Sequence, residues 1–98
     1  MNEPIRVTTT LESREDAERL ATLLLKRRLV ECAQINGPVR SLYWWQEEIA
    51  QSDEFILSVK TFGEVYKKVE TLIVDEHPYD VPKKVAEPLN RVSASYLQ

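Results

Sequence analysis

The only cysteine and the only histidine of this 98-residue chain, Cys32 and His77, are its two side chains suited to a soft or borderline metal such as copper or zinc. A closed tetrahedral site takes four ligands. One chain would have to add carboxylates such as Asp53, Glu54 or Asp80, or several chains would have to converge. Each residue also has a plainer use. A strand cysteine is commonly a small buried hydrophobe. A histidine directly before a proline, here Pro78, stands where a helix stops and can bond a late carbonyl. Nucleophilic catalysis would need Cys32 or a serine within hydrogen-bond reach of His77, with a third group orienting the base. Nothing in the spacing demands that, and a buried strand thiol is usually inert. No enzyme is expected. The two glycines, Gly37 and Gly63, are isolated, so there is no glycine-rich phosphate loop.

These residues need a scaffold, and composition bounds it. Ninety-eight residues, 43% apolar, make one domain spanning 1–98 around one core. Thirteen basic against sixteen acidic side chains leave a net charge of −3. That argues against a nucleic-acid or anionic-membrane surface. The Lys26-Arg27-Arg28 run is explained by the favourable field at a helix end. No apolar run approaches the ~18 residues that cross a bilayer. Met1-Asn2-Glu3-Pro4 shows no signal region, and a lone cysteine suits a reducing compartment, so the expected location is the cytoplasm.

Ile5 to Thr10 is rich in β-branched residues and reads as a strand. Ser13-Arg14-Glu15-Asp16 opens a helix over about 14–28, with Ala17, Leu20, Ala21 and Leu24 on one face. From Leu29 the period changes to two. Asn36-Gly37-Pro38 interrupts this strand as a turn or bulge, and it resumes over Val39 to Trp45. Polar residues 46–53 contain the reversal, and Glu54 to Lys60 returns as the other arm of a hairpin. Thr61-Phe62-Gly63-Glu64 reads as a second capping box, opening a helix that Pro78 stops near Glu76. Val81 to Leu89 supplies a last strand, which Pro82 and Pro88 confine to an edge, and 93–98 at most a helical turn. The fold class is α+β, a ferredoxin-like βαββαβ plait with a long β-hairpin. RNA-recognition domains share this plait, but 54–60 lacks their basic-Gly-aromatic signature.

Neighbouring strand residues point to opposite faces, so Trp44 and Trp45 cannot both reach this domain's own helices. Tyr43 shares the Trp45 side and Leu42 the Trp44 side. A strand over 30–45 would span roughly 50 Å, whereas a domain of this size is only about 32 Å across. The hairpin therefore overhangs its own core, and a second copy of the chain is the expected cover for its exposed aromatics. The alternative is that the bulge rotates both rings inward.

Four segments carry a family resemblance: Val7-Thr8-Thr9-Thr10, Arg28-Leu29-Val30-Glu31-Cys32-Ala33, Val39-Arg40-Ser41-Leu42-Tyr43-Trp44-Trp45 and His77-Pro78-Tyr79-Asp80-Val81-Pro82. On these the chain resembles the CutA family of divalent-cation tolerance proteins over almost its whole length. The resemblance implies the same plait in a tight homotrimer, a role in divalent-metal tolerance, and copper or another divalent ion as a weakly bound ligand. Cys32 and His77 match the family's cysteine and His-Pro positions. Glu47 departs from the turn glycine of many members, and Lys84 and Glu87 replace apolar residues. CutA trimers also look like the trimeric PII signalling proteins, which bind small effectors between subunits. An intersubunit cleft near Tyr79, Lys60 and Trp45 could thus hold an anionic metabolite. Tyr43 and Trp44 complete the interface set. A ligand-free assembly role is the third possibility.

Overall fold

The computed structural model describes residues 3–97. Strand β1 (Pro4–Leu11) leads to helix α1 (Arg14–Lys26), then to strands β2 (Cys32–Trp45) and β3 (Glu48–Phe62). A 3-10 turn (Gly63–Val65) opens helix α2 (Tyr66–Glu76), and a short strand, β4 (Val85–Pro88), precedes a final 3-10 turn, Ala94–Leu97. The terminal turn expected over 93–98 is therefore seen, except that Gln98 lies outside the described residues. The sheet order is β2-β3-β1-β4, every pair antiparallel. This is the split plait that the order of periodicities predicts.

One face of the sheet is packed and the other is open. Val7, Thr9 and Leu11 pair with Val59, Leu57 and Phe55, and these odd-numbered positions face the helices. Against them α1 places Ala17, Leu20, Ala21 and Leu24, and α2 places Val69, Leu72 and Ile73, all buried. The Ser13 hydroxyl accepts from the Asp16 amide at 3.1 Å, capping α1 as its sequence predicts.

Four boundaries differ from expectation. Helix α1 stops at Lys26 because Arg28 adopts φ 56, while the Arg28 and Leu29 amides bond back to the Leu25 and Leu24 carbonyls. That is a left-handed helix end carried by arginine where glycine is usual. No capping box forms at 61–64. Thr61 belongs to β3 and donates its hydroxyl to the Leu29 carbonyl at 2.6 Å. The last strand is four residues long, exposed, on the β1 edge. The largest difference is the hairpin. Its turn is only Gln46-Glu47, at φ 49 and 66, and β3 begins at Glu48. Gln51, Ser52 and Asp53 look like loop in the sequence, yet they pair with Leu42, Ser41 and Arg40. Arg40 holds this stretch by donating to Asp53 at 3.2 Å and to Gln51 at 3.0 Å.

The expected bulge is present and re-aims the arm. Asn36 faces Ile56 and Val39 faces Glu54, so β2 carries one extra residue. Before the bulge, Cys32, Gln34 and Asn36 point to the open face; after it, Val39, Ser41, Tyr43 and Trp45 do. Gly37 makes this possible at φ 156: a side chain there would lie 2.7 Å from the Phe55 ring. Arg14 closes the bulge, donating to the Gly37 carbonyl at 3.3 Å with its guanidinium 4.9 Å from the Phe55 ring centre. The arm then projects beyond the helices. The molecule measures 45 × 26 × 22 Å, and Trp44 and Trp45 are 74% and 63% exposed.

Candidate functional site

His77 ends α2, its amide bonded to the Ile73 carbonyl at 2.9 Å. Its buried ring bonds β1 instead of the end of its own helix. Nε2 lies 2.8 Å from the Thr10 carbonyl, which can only accept, so Nε2 carries the proton. Nδ1 accepts from the Tyr79 amide at 3.1 Å. Burial holds the imidazole pKa below its ordinary 6.5. Lys84 adds to that, while the Thr10 carbonyl and the Asp16 and Glu54 carboxylates pull the other way. Both ring nitrogens are engaged.

From His77 the chain wraps around the end of β1 to the open face of the sheet. The Tyr79 ring lies 4.7 Å from the imidazole, and its hydroxyl donates to Glu54 Oε2 at 2.9 Å. Burial first, then this bond to Glu54, push the phenol well above its ordinary 10. This relay pins the 77–80 segment to the root of the hairpin and walls a cleft of about 680 Å3. Tyr43 and Trp45 from β2 form one side, Tyr79 and Val81 the other, with Glu12, Glu54, Asp80 and Lys83 around it. A second groove, of about 450 Å3, lies between the connection that follows α1 and helix α2, and holds none of the sequence-predicted site residues.

Tyr43 and Trp45 share a face, as the alternation of the strand suggests, and the path of the 77–80 segment brings Tyr79 to them. Trp44 lies on the other face, paired with Ile49. Lys60 does not join the cleft. It stands opposite Cys32, six residues from Glu54 along β3, roughly 20 Å away. An anionic effector would meet three carboxylates and one lysine in the cleft. Cys32 and His77 are also apart: four residue steps along β1 and two strand spacings separate Cys32 from Thr10, roughly 16 Å. No cluster of three or more His, Cys, Asp or Glu suited to a metal occurs among the described residues. Asp53 points to the helix side and pairs with Arg40, whereas Glu54 and Asp80 line the cleft. The described residues of a single chain bring no copper-ligand set together. Glu12 is the functional candidate that periodicity missed. It sits between β1 and the Ser13 cap, and only the path of 77–83 shows that the cleft passes it.

Comparison with known proteins follows the same lines. The family model described as CutA1 divalent ion tolerance protein matches residues 5–98. This chain belongs to the CutA family. It is 34% identical to a probable divalent-cation tolerance protein cutA homolog of Encephalitozoon cuniculi, over all of this chain and 85% of that one. The crystal structure of CutA1 from Shewanella sp. SIB1 superimposes with a TM-score of 0.93 at 35% identity, covering 97% of this chain and 89% of the other. The periplasmic CutA of Archaeoglobus fulgidus gives 0.91 at 33% identity, covering 96% and 91%. The CutA name speaks of divalent-cation tolerance and indicates no catalytic activity. No helix among the described residues is long and apolar enough to cross a membrane.

Proposed function

We propose that this protein acts in divalent-metal tolerance as a non-enzymatic homotrimer in the cytoplasm. The observation that carries this reading is the uncovered hairpin, where Leu42, Trp44 and Ile49 are exposed on one face and Tyr43 and Trp45 on the other. Apolar surface of this extent calls for a partner, and a second copy offers the same hairpin. The count of three follows the family resemblance. Copper is then a ligand of the assembly. Cys32 and His77 lie too far apart in one chain, so a shared ion draws them from different protomers, and His77 must first give up a hydrogen bond. The lone thiol supports a reducing compartment. The periplasmic Archaeoglobus relative makes compartment a property of the individual protein.

Light scattering at micromolar concentration tests the assembly, with three times 11.4 kDa expected. Calorimetric titration of chelator-treated protein with Cu(I) and Cu(II) tests the ligand. Cys32→Ser is expected to abolish binding and His77→Ala to weaken it. If both variants bind as tightly as the parent, the site assignment is wrong.

A further inference from the structure

We propose that the groove beside α2, on the helix side of the molecule, binds a small phosphorylated compound, a phosphate monoester on a short apolar body. The Lys26-Arg27-Arg28 run is not used up in ending α1. Backbone does that work: the Leu23, Leu24 and Leu25 carbonyls accept the Arg27, Leu29 and Arg28 amides at 3.1, 3.0 and 3.0 Å. The three basic side chains are exposed, and among the described residues none has an ion-pair partner.

The fold brings one of them to two more cations. Helices α1 and α2 follow the antiparallel strands β1 and β3, so they run in opposite directions. Arg19 fixes their register, donating to the Glu76 carboxylate at 3.1 Å and to the Glu76 carbonyl at 2.7 Å. Arg27 lies eight residues after Arg19 and Lys68 eight before Glu76, a rise of roughly 12 Å on each helix. Arg27 therefore comes level with Lys67 and Lys68, and the three line one groove of about 450 Å3, within the range of small-molecule sites. Lys67 is held only by Glu70, at 3.6 Å, and Lys68 has no ion-pair partner among the described residues. Buried Leu72 and half-buried Leu29 supply an apolar lining. Asp75, the one carboxylate in the lining, sits seven residues from Lys68, roughly 10 Å along α2.

Three cations call for a dianion, although the chain as a whole carries a net charge of −3. A phosphate monoester brings close to two charges and three acceptor oxygens, which an arginine fork and two ammonium groups can share. A carboxylate answers with one charge only. An apolar body on the phosphate covers Leu29 and Leu72, which a free phosphate leaves wet. The proposed assembly joins copies through the hairpin, and this groove stands apart from it. It lies on the other side of the sheet from Tyr43 and Trp45, beside the start of β2. The hairpin tip is thirteen residues away along that strand, roughly 43 Å. Neither the copper site nor the number of copies enters the argument.

The full chain, in its own oligomeric state and in chelator, is titrated by calorimetry with butyl phosphate, inorganic phosphate, 1-butanol and butylammonium. Butyl phosphate is expected to saturate at one site per chain. Inorganic phosphate, which lacks the stem, should bind at least about tenfold more weakly, and butanol and butylammonium should not saturate. Arg27→Gln and Lys68→Gln, both at exposed positions, are each expected to weaken butyl phosphate about tenfold. Arg91→Gln makes the same charge change at another exposed position and should leave binding unchanged. Equal weakening by Arg91→Gln would reduce the effect to overall charge and overturn the site. No saturable binding, equal affinity for butyl and inorganic phosphate, saturation by butanol or butylammonium, or undiminished binding by both groove variants would each overturn it too.

Discussion

Replacing Trp44 by serine removes apolar surface from the hairpin without touching the core. The ring is 74% exposed and faces Ile49 across the strands. A tryptophan carries roughly 200 Å2 of burial, so about 150 Å2 remains wet in a single copy. At ~25 cal/mol per Å2, covering all of it stabilises the assembly by about 4 kcal/mol per copy, and covering half by about 2. A trimer counts that loss three times, and its half-assembly concentration varies as the square root of the dissociation constant. The midpoint should therefore rise roughly 10²–10⁴-fold, since each 1.4 kcal/mol is about a factor of ten. Sedimentation velocity across a dilution series reads this directly, and the denaturant midpoint of the variant should become concentration-dependent in the same range. Two results would refute the reasoning: a parent protein that sediments at 11.4 kDa at micromolar concentration, or a Trp44→Ser variant that assembles as tightly as the parent.

Gly37→Ala forces a side chain against Phe55 at a φ that alanine avoids, and should lower stability by about 2 kcal/mol or more in urea unfolding. Glu47→Gly relieves a left-handed conformation in the two-residue turn, and should raise the thermal midpoint by an amount equivalent to about 0.5–1 kcal/mol. His77 is held neutral by burial, so the unfolded chain takes up its proton first as pH falls. Its contribution to stability is complete above the ordinary value of 6.5 and is lost as pH drops through the lower folded value. Urea titrations in chelator between pH 7 and pH 5 should show that loss in the parent and a flatter profile in His77→Gln; equal slopes would contradict it.

Most of the plait is legible in the chain because each element's apolar period matches the face it buries. Ala17, Leu20, Ala21 and Leu24 mark α1, and Val69, Leu72 and Ile73 mark α2. The alternation through Tyr43, Trp44 and Trp45 also announced an arm that its own domain leaves uncovered. The turn and the near half of β3 were hidden. Gln46-Glu47 carries no glycine, and Gln51 and Asp53 are polar because they answer Arg40 across the strands. A ladder held by cross-strand polar pairs has a loop's composition.

Local pattern determined β1, the two helices, the far half of β3 and the exposed aromatics, since propensity and periodicity act over a few neighbours. Which of them share a site was decided by tertiary structure alone. A single extra residue at Gly37-Pro38 put Tyr43 and Trp45 on the open face with Cys32, and the His77–Thr10 bond carried Tyr79 around the sheet end to Glu54. The same geometry kept Cys32 roughly 16 Å from Thr10, the residue to which the His77 ring is bonded. Residues far apart in sequence meet through the register of strands and the path of a loop, and neither is written in the spacing of any one segment.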